Sequence, residues 1–354
     1  MPLSAQGDPV HSLLEKARES LVFSGFQLYA KKDRALILSG GVTSYWPGSR
    51  AVTADTLFDI GSVTKAVTTT SLCALAVDQS TLRVSDTVGQ WVPEWKSSAV
   101  SELTVRDLLC HAAGLRDWWP IYREQSITPG FLRRWVVDHG EQWVVARPGE
   151  RTEYSDLGFL ILGEVLAEVW KQPLAQAFRA YVAEPLGMQG VKYGPVKNAE
   201  VVATEVRDGK PLQGIVFDEN SAALGHATSH AGLFSNAASL APWCEAWLGA
   251  LSGKSKWLGQ STAALFTKKA ARVATSSWAL GWDTKSPKGS SAGNLFSETS
   301  FGHLGYPGCS VWIDPVRKTY AIFLTNRVHP SRLDERIRKL RPVLHDAIAK
   351  GWGE

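Results

Sequence analysis

Three residue types at two spacings set the chemistry this sequence can do. Ser62 and Lys65 stand three positions apart in Ser62-Val63-Thr64-Lys65, at the start of a long apolar run. A serine hydroxyl is a weak nucleophile until a neighbouring base takes its proton. On a helix, residues three apart share a face with Cβ atoms about 5–6 Å apart, so the Lys65 amine would reach the Ser62 oxygen. Ser62 would also lie at the helix N-terminus, whose partial positive charge favours a developing anion. As a base, Lys65 must be neutral or relay its proton through a neutral neighbour. No other Ser-x-x-Lys occurs in the chain. Taken alone, the pattern equally describes a helix start followed by an exposed lysine.

Two further segments add groups of the right kind. Tyr154-Ser155-Asp156 follows Pro148-Gly149-Glu150. A tyrosinate, or a tyrosine sharing a proton with Lys65, can act as general base once adjacent cations lower its pKa from near 10. A tyrosine capping the helix that begins near Asp156 is the plainer reading. Phe301-Gly302-His303-Leu304-Gly305-Tyr306 lies in a β-rich run. Gly305 on a strand lets a ligand backbone come close. The Tyr306 amide can join the Ser62 amide in an oxyanion hole, with His303 facing the cleft. An ordinary half-exposed strand histidine would look the same.

The elements that must position these groups follow from the pattern of apolar residues. Residues 9–20 read as an amphipathic helix, and two β-rich runs flank Lys31-Lys32-Asp33 as a hairpin. Residues 61–80 form an apolar helix beginning at Ser62. From about 80 to 260 helices dominate, as in LTVRDLLCHAAGL, Leu157 to Trp170 and ASLAPWCEAWLGAL. Strand signals return after 275 in SSWALGW, SFGHLGYPGCSVWIDP and TYAIFLTN, and DERIRKLRPVLHDAIAKGW closes the chain as a helix. Strands at both ends must pair to complete one sheet. The expected fold is therefore α+β: an antiparallel sheet from both chain ends flanked by helices, with an inserted, mostly helical lobe. The sheet lobe takes residues 1–80 and 265–354, the helical lobe 81–264, with a cleft between them as one catalytic unit.

Composition narrows the function. The net charge of +4 over 354 residues comes from scattered basic residues, without the dense stripe of a nucleic-acid binder. Cys73, Cys110, Cys244 and Cys309 form no CxxC pair, and Cys73 and Cys110 read as buried small hydrophobes. No run approaches the ~18 apolar residues of a membrane span. The first residues carry no apolar signal core, which points to the cytoplasm; a periplasmic protein shorn of its signal would read the same. Most of the fifteen tryptophans should fill the core. Trp118 and Trp119, in a loop beside a proline, suit the wall of a ligand cleft.

The order and spacing of the three segments resemble the catalytic motifs of the serine β-lactamase and DD-peptidase superfamily. TLFDIGSVTKAVTTT, SDTVGQWVPEW, LTVRDLLCHAAGL, PGERTEYSDLGFLILGEVL, EPLGM and HLGYPGCSVWIDP look like family segments in family order, covering roughly residues 20–345. The branch is that of class C β-lactamase-like esterases, DD-peptidases and D-aminopeptidases. LQGIVFDENSAALGHATSHAGLF and FLTNRVHP are similar to segments of penicillin-binding-protein-like hydrolases, which places Asp218, Glu219, Asn220, His226 and His230 at the cleft. His226 and His230, four apart with two acids nearby, would also suit a metal. A serine mechanism needs none, and no metal or cofactor is expected; hydrogen bonding within loops and at helix ends is the plainer role.

The resemblance implies Ser62 as nucleophile, Lys65 and Tyr154 as bases, and the Ser62 and Tyr306 amides as the oxyanion hole. Asp156, His303, Gly305, Trp118, Trp119, Asn220 and His230 would contact substrate. Two positions depart from the pattern. Asp156 stands where many relatives have Asn; it would hold Lys65 or His303 electrostatically, or cap the helix. His303 stands where β-lactamases have Lys; a histidine near pKa 6.5 is mostly neutral at pH 7 unless Asp156 raises it. Strong β-lactamase activity is not expected. The expected activity is hydrolysis, through an acyl-enzyme, of a peptide or amide of D-amino-acid character such as a muropeptide. The alternatives are a carboxylesterase and a penicillin-binding-like binder that has lost turnover.

Overall fold

The computed structural model describes residues 8–197, 200–270 and 272–351. Residues 1–7, where a signal core was sought, and Trp352 of the closing helix lie outside them. The chain opens with α1 (Pro9–Glu19), capped by the Asp8 carboxylate accepting the Val10 N–H at 2.7 Å. The hairpin β1 (Gly25–Lys31) and β2 (Ala35–Gly41) follows, turning at 32–34. After β3 (Phe58–Asp59) comes the helix that carries Lys65. It is not a uniform α-helix: residues Lys65–Thr70 form a π-helical stretch before α2 (Ser71–Asp78). Buried hydroxyls of this stretch bond across to other elements, Thr69 Oγ1 to the Ser229 carbonyl at 2.6 Å and Thr70 Oγ1 to Gly281 at 3.3 Å. A widened turn of this kind recurs at functional sites.

The middle of the chain supplies α3 (Val88–Trp91), α4 (Val105–Leu109), α5 (Phe131–His139), α6 (Asp156–Trp170), α7 (Leu174–Phe178) and α8 (Glu219–Ala223). Short strands β4 (Lys192–Tyr193), β5 (Val206–Arg207), β6 (Lys210–Pro211) and β7 (Leu233–Ser235) lie among them. Helices α9 (Ala237–Leu251) and α10 (Gln260–Thr267) lead back to the sheet. Strands β8 (Asp283–Thr284), β9 (Phe301–Leu304), β10 (Ser310–Asp314) and β11 (Thr319–Thr325) precede the last helix, α11 (Ile337–Lys350).

The main sheet runs β2-β1-β11-β10-β9-β8, antiparallel throughout. Strands from both ends of the chain pair as expected, Phe26 opposite Thr325 and Lys31 opposite Tyr320. Alternation along the strands divides them between two apolar layers. On β11, Tyr320, Ile322 and Leu324 face one layer while Ala321 and Phe323 face the other. The second layer joins the sheet to α1 and α11 through Leu14, Phe26, Leu28, Trp312 and Leu344. The first is larger and runs without a break from the sheet into the middle helices, through Trp243, Trp247, Trp282, Phe159 and Trp143. With both faces covered, every residue of β11 is buried.

One strand expectation fails. SSWALGW makes only an isolated bridge, Trp278 to Asp283. Its amides go to helix ends instead: Leu280 N–H to the Phe266 carbonyl and Gly281 N–H to Leu109. The alternating apolar residues serve as aromatic packing, with Trp282 stacked on Trp243 at 5.2 Å.

Candidate active site

Ser62 sits in a tight turn between β3 and the π-helical stretch. The Lys65 N–H bonds to the Ser62 carbonyl, an i to i+3 closure that brings the two side chains together. Asp59, itself buried, ties the turn down by accepting the Gly61 N–H at 2.8 Å and the Phe217 N–H at 2.7 Å. Burial pushes its carboxyl up to about 6 despite those two bonds. Gly61 has φ +52°, and a Cβ there would lie 2.5 Å from Pro307 Cδ. The absence of a side chain thus lets the turn after β9 press against the nucleophile's turn.

Lys65 is fully buried, and three acceptors take its ammonium protons: Ser62 Oγ at 3.0 Å, Asp156 Oδ1 at 2.6 Å and the His230 carbonyl at 3.0 Å. The Tyr154 ring lies beside this cluster, its centroid 5.0 Å from Lys65 Nζ, close enough for its phenol to feel both Lys65 and Ser62. Burial alone would lower the Lys65 pKa, but the Asp156 carboxylate and Tyr154 outweigh it and hold the amine above its ordinary value. For Tyr154 the balance runs the other way: burial raises the phenol above 10, and Lys65 offsets only part of it. Neither a neutral lysine nor a cation-lowered tyrosine, as the sequence required, is therefore the resting state. Asp156 lies in the first turn of α6, while Ser155 is the N-cap, its Oγ accepting the Gly158 N–H at 3.1 Å. Of the roles open to Asp156, holding Lys65 is the one adopted.

Tyr154 is wedged among aromatic rings. His111 lies 4.6 Å from it, Trp278 5.6 Å and His303 6.2 Å, centroid to centroid. His303 does not face open solvent; it is 2% exposed, and its Nδ1 meets the Leu304 carbonyl at 2.8 Å. Burial, aided by the Lys65 charge, depresses its pKa to about 3. It is a neutral ring behind Tyr154, and Asp156, committed to Lys65, does not charge it. Gly305 also differs from expectation. A Cβ there would stand 2.2 Å from the Ile60 carbonyl, so the backbone that comes close is the chain's own. Among the described residues neither the Ser62 nor the Tyr306 N–H has a protein acceptor. The Tyr306 side chain is exposed and stacks on Phe217 at 5.5 Å.

The remaining candidates divide. Trp118 is exposed beside Tyr122, 6.1 Å away, while Trp119 packs on Trp135 at 5.8 Å against the core. Asn220 is fully buried and spends both ends of its amide on that loop, accepting the Tyr122 N–H at 3.0 Å and donating to the Trp119 carbonyl at 2.7 Å. It braces the loop with one of its two N–H donors and one lone pair of its oxygen. His230 is likewise buried, its Nε2 2.9 Å from Asp218 Oδ1; only its carbonyl reaches Lys65. The metal set read from sequence does not assemble. Glu219 pairs with Arg332 and Arg207, and His226 lies apart, half-buried. Asp156, Asp218 and His230 do converge within 4.8 Å, around the Lys65 ammonium, whose charge already answers the two carboxylates.

Sequence reasoning passed over His111, whose Nδ1 accepts the Ser155 N–H at 3.0 Å and so fixes the backbone beside Tyr154. Its left-handed φ of +54° places it there. The segment HAAGL drew notice only as a block, because nothing local shows which backbone a histidine will meet.

Comparison with known proteins bears on the family and the fold. The family profile described as Beta-lactamase matches residues 12–344. A "Putative D-alanyl-D-alanine carboxypeptidase" from Salmonella agona (strain SL483) is 26% identical, with 87% of this chain and 79% of that protein covered. Among solved structures, "EstCE1, a hydrolase with promiscuous acyltransferase activity" superposes with a TM-score of 0.78 at 20% identity, covering 96% of this chain and 97% of that one. "A class C beta-lactamase" gives 0.76 at 17% identity, covering 98% and 96%. At those identities the two structures speak for the fold alone.

Proposed function

The chain belongs to the β-lactamase family and is a serine hydrolase, and on that premise we propose that it cleaves a peptide or amide bond of D-amino-acid character, as in a peptidoglycan fragment, through an acyl-enzyme on Ser62. For a cytoplasmic protein, a recycled muropeptide is the natural form of such a substrate. The observation that carries the chemistry is the triangle of Ser62, Lys65 and Tyr154, in which the Lys65 amine donates to Ser62 Oγ at 3.0 Å and lies 5.0 Å from the centre of the Tyr154 ring. The substrate class draws support from the relatives named "Putative D-alanyl-D-alanine carboxypeptidase".

Asp156 decides how the triangle works. Its carboxylate favours the ammonium form of Lys65, so when the pair gives up one proton the charge falls on Tyr154. Tyrosinate then takes the Ser62 proton as Oγ attacks the carbonyl carbon. The oxyanion is received by the N–H groups of Ser62 and Tyr306. Tyr154 passes the proton to the leaving amine, and water, deprotonated by the same phenolate, releases the acyl group. No helix among the described residues is long and apolar enough to cross a membrane.

A second reading, hydrolysis of small esters, is favoured by His303, which as a buried neutral ring supplies no cation for a substrate carboxylate. Turnover of a D-Ala-D-Ala peptide against a nitrophenyl ester separates the two. Intact-mass measurement after a fluorophosphonate and, separately, a penicillin supplies the companion test. A single adduct absent in Ser62→Ala supports the mechanism. Labelling by neither reagent, with the cleft open, favours a binder without turnover and overturns the proposal.

A further inference from the structure

The turn after β9, Gly305–Cys309, is held from behind by two arginines. Arg341, on α11, is 6% exposed and has no carboxylate partner among the described residues. Its Nη2 donates to the Gly305 carbonyl at 3.0 Å and to the Cys309 carbonyl at 2.8 Å. The Gly305 oxygen also accepts the Gly308 N–H at 3.1 Å. Burial, with Arg327 and Arg338 nearby, lowers the guanidinium to about 10, so it stays charged at neutral pH.

The Gly305 carbonyl and the Tyr306 N–H are the two ends of one peptide unit. A cation drawing electron density from the oxygen leaves the N–H more positive, and linked hydrogen bonds strengthen one another in this way by about 10–30% each. We propose that Arg341 is a positioning residue for the oxyanion hole, polarising through the Gly305 carbonyl the peptide whose N–H receives the negative charge of the tetrahedral intermediate. The proposal rests on acyl transfer at Ser62 as read above. A buried guanidinium lacking a counter-anion is costly while the site rests, and the charge that forms on the substrate oxygen offsets part of that cost in the transition state.

Arg327 provides the control. Its Nε donates to the Tyr306 carbonyl at 3.0 Å, bracing the same turn. That carbonyl belongs to the Tyr306–Pro307 peptide, which has no N–H to polarise. Bracing alone would make the two arginines equivalent; polarisation makes only Arg341 matter to the donor.

The test is rapid-mixing infrared spectroscopy of the acyl-enzyme formed with a carbonyl-labelled nitrophenyl ester, beside kcat and KM. In Arg341→Met the acyl carbonyl stretch should rise in frequency and kcat fall about tenfold, less than the 100-fold or more of losing a donor outright, with KM little changed. Arg341→Lys, which keeps the charge, should restore part of the shift, and it is the variant to read should the methionine protein fail to fold. Arg327→Met should leave the frequency where it was. Equal frequencies in wild type and both Arg341 variants, or an equal shift in Arg327→Met, overturns the inference. If the wild-type protein forms no acyl-enzyme at Ser62, the underlying mechanism fails instead, which intact mass reveals separately.

Discussion

The two sides of Ser62 are built on opposite electrostatic plans. On the helix side a buried ammonium is surrounded by acceptors: Asp156, with Asp218 close behind and held down to about 2 chiefly by the His230 contact against the cost of burial. On the strand side the turn carries two buried arginines whose acceptors are backbone carbonyls. One side holds a proton tightly at rest, whereas the other has positive charge waiting for an anion. The contrast teaches that the resting geometry is arranged against reaction on the base side and for it on the oxyanion side. Losing a proton from the Lys65–Tyr154 pair is then what arms the site.

Ser62 itself belongs to both plans, through its hydroxyl and its amide. Ser62→Ala removes only the first. Hydrolysis should fall by about 10³-fold or more, with the melting temperature and substrate binding retained; turnover surviving in that variant breaks the whole scheme. Asp156→Asn attacks the base side alone. Without the carboxylate the Lys65 pKa drops, the pair yields its proton more readily, and the rising limb of kcat/KM should move to lower pH by about one unit or more. A limb that stays in place would mean that Asp156 is not what holds the proton.

Asn220→Ala asks whether the Trp119–Tyr122 loop depends on its buried brace. With the Tyr122 N–H left unpaired and the Trp119 carbonyl keeping only the Ile121 N–H, about 1–3 kcal/mol of stability should be lost in denaturant titration, and KM should rise with little change in kcat. An unchanged midpoint with a raised KM would assign Asn220 to substrate contact in place of the brace. The last effect, absent at neutral pH, concerns His303. Its folded pKa of about 3 lies below the unfolded 6.5, so the unfolded chain takes up the proton first. The neutral ring's contribution is whole above pH 6.5 and drains away as pH falls toward 3. Asp59 and Asp283, each raised to about 6 by burial, act with the opposite sign above 3.8, in wild type and variant alike. His303→Gln should therefore flatten the pH dependence of stability, relative to wild type, by about 1.4 kcal/mol per pH unit across that window. Parallel curves would show that the ring titrates normally.

What the sequence made legible was mostly local or periodic. The Ser62–Lys65 spacing, the β1–β2 hairpin and the helices at 9–19 and 156–170 rest on short-range pattern, and the pairing of terminal strands, the one long-range contact foreseen, on the need to complete a single sheet. Tyr154 and the Tyr306 amide joined the site through the order of the motifs. Other contacts between distant segments were not legible. Asn220 and His230 carry groups suited to a ligand, and only the fold reveals that Asn220 meets the Trp119–Tyr122 backbone and His230 the Asp218 carboxylate. Arg341 lies in the charged closing helix, where nothing local marks it from its neighbours, yet it is buried against the Gly305 turn. The π-helical stretch at 65–70 has no sequence signature, since it arises where side chains of one turn must reach Ser229 and Gly281.

The pairing of β1 with β11 has a consequence for biosynthesis. Asn326, just beyond β11, accepts the Ser24 N–H across a separation of 302 positions, and β9, β10 and β11 complete the sheet from the last part of the chain. Contacts so remote in sequence close slowly. A nascent chain emerging from the ribosome would hold Ser62, Lys65 and Tyr154 long before it held Tyr306. On the proposed mechanism such an intermediate has its nucleophile and bases but lacks half of the oxyanion hole, so catalytic competence would arrive only with the final strands.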